Sequence, residues 1–87
     1  MTITRKVLVE KIKDYLNQRI SFEDLVDWAE QAMMEDDFEA EHFQKIRTII
    51  ARIGLADVKA FGLTWDECED FLNRLGYRAR VEIVETA

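Results

Sequence analysis

The stretches "ISFEDLVDWAE" (residues 20–30) and "LTWDECEDFLN" (residues 63–73) begin in the same way, and reading that likeness decides the fold. In each, an aliphatic residue precedes Ser or Thr, and an aromatic and two acids follow. Ser21 is placed to accept from the amide three residues on, with Asp24 reaching back as a short-armed capping box. Thr64 and Glu67 have the spacing of a full capping box, and Ile20–Leu25 and Leu63–Cys68 have the spacing of hydrophobic staples. The correspondence stops at Trp28 and Phe71. It is therefore the chemistry of starting a helix written twice, and not a duplicated domain.

Two more helices follow from apolar periodicity. The first spans about residues 4–18, with Val7, Leu8, Ile12, Tyr15 and Leu16 recurring at helical spacing. In the second, Phe22, Leu25, Val26, Ala29, Ala32 and Met33 form the expected buried stripe. The third covers roughly 38–53, carries Phe43, Ile46, Ile49, Ile50 and Ile53 inward, and is expected to end with Gly54 left-handed and Leu55 against Ile50. Gly76 closes the fourth, with Tyr77 reaching Leu72.

Beyond Gly76 the period changes to two, which predicts a half-buried strand over "YRARVEIVE". A lone strand leaves backbone groups unpaired. Its partner is either "DVKAF" (57–61), or the same strand of a second chain in a homodimer formed through residues 78–84. The expectation is a mainly α, four-helix compact domain with a short C-terminal β-strand, either alone or in a two-stranded β element, in a single domain over residues 1–87.

Composition agrees. The chain has 87 residues, 48% hydrophobic and 34% charged, which reads as one small globular domain and not a disordered one. With no proline and three glycines, no linker or domain boundary is visible. One cysteine, Cys68, excludes an intrachain disulfide and fits a reducing compartment. The first 16 residues never run more than three apolar residues without a charge, so neither a signal peptide nor a membrane span is expected there. The location expected is cytoplasmic.

Charge is the least even property. Residues 21–43 hold nine acids and no base, whereas residues 1–20 and 44–63 are each net +3, in a chain of net charge −6. Glu23, Asp27 and Glu30 are spaced by four and three, which lines them along one solvent-facing stripe of the second helix. Glu35, Asp36, Asp37, Glu39 and Glu41 extend the field through the following turn, Met34 lies in line with the stripe, and Trp28 flanks it at the edge of the apolar face. Part of this follows from the helix dipole, which favours acids at N-termini. Repulsion among close acids is also relieved by a cationic partner. The candidate partner-binding residues are therefore Glu23, Asp27, Trp28, Glu30, Met34, Glu35, Asp36 and Asp37, facing a basic protein.

Other chemistries have less support. Residues 47–83 trace helix, turn, helix and short strand, the outline of a winged helix, which makes nucleic acid the alternative ligand. The N-terminal turns of its second helix present Asp66, Glu67, Glu69 and Asp70, which a phosphate backbone repels. A basic patch would have to come from Lys45, Arg47, Arg52, Lys59, Arg78 and Arg80. Glu39-x-x-His42 has the helical spacing of a carboxylate–histidine metal pair, but such centres need further ligands and the chain has one histidine. Cys68 falls on the apolar side of its helix as a small core residue, and most aromatics are expected in the core. No catalytic, cofactor or metal residues are assigned.

The stretch "ISFEDLVDWAE" resembles the second-helix region of small acidic bacterial immunity proteins of the colicin type. That resemblance, carried by about a dozen residues, implies a helical bacterial protein that neutralises a basic toxin; no functional residue is transferred through it.

Overall fold

The computed structural model describes residues 2–56, 63–80 and 83–86, with Glu35 by its backbone alone. In order the elements are β1 (Thr2–Ile3), α1 (Arg5–Leu16), α2 (Phe22–Glu35), β2 (Asp37–Phe38), α3 (Phe43–Gly54) and α4 (Trp65–Arg74). The mainly α class and the four helices expected from periodicity are present.

Helices α1, α2 and α4 each begin with a side chain answering amides that have no partner within the helix. Thr4 Oγ1 accepts from the Val7 amide at 3.1 Å, and Glu39 Oε1 accepts from the Arg5 amide at 2.8 Å, so α1 is capped from two places in the chain. Ser21 and Asp24 form the reciprocal box, at 3.0 and 3.3 Å. Thr64 accepts from Glu67 at 3.1 Å, but the return bond expected from Glu67 is not made. Its carboxylate instead meets the Arg52 guanidinium of α3 at 2.7 Å. A charged pair outcompetes a neutral amide for that carboxylate. His42 precedes α3 without a side-chain cap bond.

The core is aliphatic. Leu8 and Ile12 of α1, Leu25, Ala29 and Ala32 of α2, and Ile46, Ile49, Ile50 and Ile53 of α3 are buried with Cys68, Phe71, Leu72 and Leu75 around α4. The aromatic core expected from sequence is not what forms. Phe71 is buried, Trp28 and Phe38 pack at the core's edge, and Phe43, Trp65 and Tyr77 are exposed. α3 runs back along α2. Its first residue, Phe43, meets Phe38 just beyond α2, and Gly54 at its far end lies against Ala29 and Glu30.

The β element differs in place from the expectation. β1 and β2 pair in parallel, Thr2 opposite Asp37 and Ile3 opposite Phe38, and the Ile3 carbonyl accepts from the Glu39 amide at 3.0 Å. Residues 77–80 and 83–86, expected in a strand, carry none, and the proposed partner "DVKAF" lies outside the described residues. The third helix correspondingly starts at Phe43 and not near residue 38. Burying Ile3 against the helices takes Phe38 into extended pairing, and the positive end of α1 draws Glu39 away from any helix of its own.

Candidate functional site

The stripe read from sequence is a continuous line on the outside of α2. Glu23, Asp27 and Glu30 are exposed, and Met34 at its end is 83% exposed. Eleven residues separate Glu23 from Met34, about 16 Å of helix. None of Glu23, Asp27, Glu30 or Asp37 has an ion pair among the described residues.

The helix dipole explains only part of this charge. Glu23 and Asp24 occupy the first turn of α2, where acids are stabilised. Glu35 is the last residue of the helix, Asp36 is its partly buried C-terminal cap, and the last turn holds no base. At that end the dipole disfavours acids by about 0.3–1 kcal/mol each. Asp37 is exposed in β2, opposite Thr2. The field therefore bends from the side of α2 onto the β element.

Trp28 sits apart from the stripe. Its ring packs on the core, and the Lys11 ammonium of α1 stands 5.6 Å from the ring centroid. It is a partly buried residue facing α1, under a cation.

Beside the stripe lies an apolar groove of about 450 Å³, lined by Glu30, Met33, Met34, Ala51, Gly54 and Leu55. Met33 is 37% and Leu55 50% exposed. Sequence reasoning placed Met33 in the core and Leu55 against Ile50. No sequence signal marks the exposure of Met33, which stands four residues from the buried Ala29, and adjacent apolar pairs such as Leu25–Val26 and Ile49–Ile50 are buried together. The small residues Ala51 and Gly54 keep the floor open. Gly54 is not left-handed, contrary to the expected cap; among the described residues Gly76 is the glycine with positive φ. A Cβ at Gly54 would meet Glu30 Cγ at 3.7 Å, an ordinary contact.

The basic residues are dispersed. Arg52 is paired with Glu67 and Arg74 with Asp70 at 2.9 Å. Arg5 donates to the Leu75 carbonyl at 3.2 Å and stands over the Tyr77 ring. Lys45 and Arg47 are exposed on α3, whereas Arg78 and Arg80 line a second groove, of about 340 Å³, with Lys13, Trp65 and Tyr77. Lys59 lies outside the described residues. The acids at the start of α4 stay in its first turn, at Asp66 and Glu67.

The metal spacing loses its premise. Residues 39–42 precede α3, and Glu39 caps α1, so Glu39 and His42 do not share a helix face. Among the described residues no cluster of three or more His, Cys, Asp or Glu has metal-binding placement. Cys68 is buried, and burial followed by the Glu67 carboxylate pushes its thiol up to about 11. Among the described residues no helix is long and apolar enough to cross a membrane.

Comparison of the chain with protein-family models, curated proteins and solved structures finds no match. The class of protein is thus defined by its fold and surface: a small four-helix domain bearing an acidic helix edge beside an apolar groove.

Proposed function

We propose that this chain is a non-enzymatic protein-interaction domain that binds a basic protein through the outer face of α2. The observation that carries the reading is the stripe Glu23–Asp27–Glu30–Met34, whose acids are exposed and lack ion-pair partners among the described residues. Charge that the fold does not neutralise raises the energy of the free protein, and a cationic surface relieves it. Neutralisation of a basic toxin, implied by the resemblance of residues 20–30 to colicin-type immunity proteins, is one form of this activity. Nucleic-acid binding is the alternative; the cations available to it are divided between α3 and the groove near Tyr77. Self-association through residues 78–84, where Ile83 and Val84 are exposed, is a separate interface.

Co-purification from native cells tests the reading, comparing the wild-type chain with a Glu23→Lys, Asp27→Lys, Glu30→Lys variant. The expected result is one basic protein retained by the wild type at low salt and lost from the variant. Equal recovery of the same partners by both, or recovery of nucleic acid in place of protein, contradicts it.

A further inference from the structure

The groove beside the stripe specifies what kind of basic segment fits. Its walls are the side chains of two helices running side by side, Met33 and Met34 from α2 and Leu55 just past α3, with Ala51 and Gly54 between them. Helical backbone is already hydrogen-bonded within itself, so this trough offers an incoming chain no edge to pair with. An extended peptide laid there would bury its own amides and carbonyls against methionine and leucine. A helix satisfies its backbone internally and fits the furrow between two others through side chains alone.

We infer that the occupant of the groove is an amphipathic helix with a cationic face, belonging to the basic partner proposed above and resting on that reading. Its apolar residues, at spacings of three and four, enter between Met33, Met34 and Leu55. Thioether side chains suit this role because they adapt to differently shaped anchors. Glu30 lines the groove and also stands in the acidic stripe, so cations one helical turn from the anchors reach Glu30 and Asp27. Apolar floor and acidic rim together select a helix of this composition over a neutral or anionic one. The exposure of Met34, at 83%, leaves it little part in the fold, and an exposed apolar patch of this kind marks an interaction surface.

The test uses a synthetic helical peptide of Leu and Lys, with Leu at i, i+3, i+4 and i+7, and a second peptide identical but for a central Lys replaced by Pro. Binding to the full chain is measured by fluorescence anisotropy at two salt concentrations. Met34→Glu decides the matter, because it adds negative charge while removing an anchor. Attraction by charge alone predicts tighter or unchanged binding; seating in the groove predicts binding weaker by roughly tenfold or more. Leu55→Glu repeats the test from the other wall, and circular dichroism of both variants establishes that they are folded. Weakening by both variants together with poor binding of the Pro peptide supports the inference. Equal binding of the two peptides, or binding undiminished by Met34→Glu and Leu55→Glu, overturns it. If a Glu23→Gln, Asp27→Gln, Glu30→Gln variant still weakens that undiminished binding, the acidic docking face stands and only the helix in the groove falls.

Discussion

The turn after α4 passes through Gly76 at φ +87°, where the Gly76 amide reaches Asn73 at 3.1 Å and the Tyr77 amide reaches Leu72 at 2.8 Å. The turn after α1 makes the same two bonds, from Gln18 to Tyr15 at 3.0 Å and from Arg19 to Asp14 at 2.8 Å, with Gln18 at φ 61° in the glycine position. One site holds the residue suited to left-handed backbone and the other does not. Gly76→Ala should therefore cost about 1–2 kcal/mol, because its Cβ would also stand 3.2 Å from Arg5 Nη1. Gln18→Gly should gain roughly 0.5–1 kcal/mol, and denaturant unfolding of the two variants reads both signs. These positions also mark what sequence reveals. Glycine announces the left-handed turn at residue 76, whereas nothing at Gln18 does, because the strain there is held by Schellman bonds that any residue's backbone can make.

Capping shows the same limit in the elements. Ser21 and Thr64 were readable as helix starts because a cap is local, involving residues three apart. The destination of the Glu67 carboxylate was not, because its partner Arg52 lies fifteen residues away on another helix. That pair is partly buried, and Arg52 Nη1 is buried without a hydrogen-bond partner among the described residues. Glu67→Ala is expected to destabilise by about 1–2 kcal/mol, allowing for screening of the partly exposed pair. Asp70→Ala, which breaks the more exposed pair with Arg74, should cost under about 0.5 kcal/mol. Thermal melts that ranked the two variants the other way would count against this assignment. The β element was misplaced for a related reason. "YRARVEIVE" alternates over nine residues, while β1 and β2 are two residues each, too short for any period to show. Parallel pairing of Ile3 with Phe38 is a long-range choice made by the core.

For the whole molecule, burial ties stability to alkaline pH. The Cys68 thiol is held up to about 11 in the folded chain, against an ordinary value of 9.0. Below pH 9 both folded and unfolded chains keep the proton, and the full contribution is present. Between pH 9 and about 11 the unfolded chain ionises while the folded chain does not, so stability falls as pH rises. Tyr15, raised mainly by burial and further by Cys68, adds a fall in the same direction. Cys68→Ala should flatten the first part of that slope in denaturant unfolding measured from pH 8 to 11; an unchanged slope would refute the assignment. The mainly α class and the acidic stripe were legible because both depend on helical periodicity. The groove was not, since it exists only where α2 and α3 lie together. The docking claim rests on carboxylates meeting amines, and zero-length carbodiimide cross-linking in native-cell extract reports that contact most directly. Cross-links from Glu23, Asp27, Glu30 or Asp37 to lysines of one basic protein are the predicted result. Cross-links confined to the carboxylates of α4, with none on α2, would contradict it.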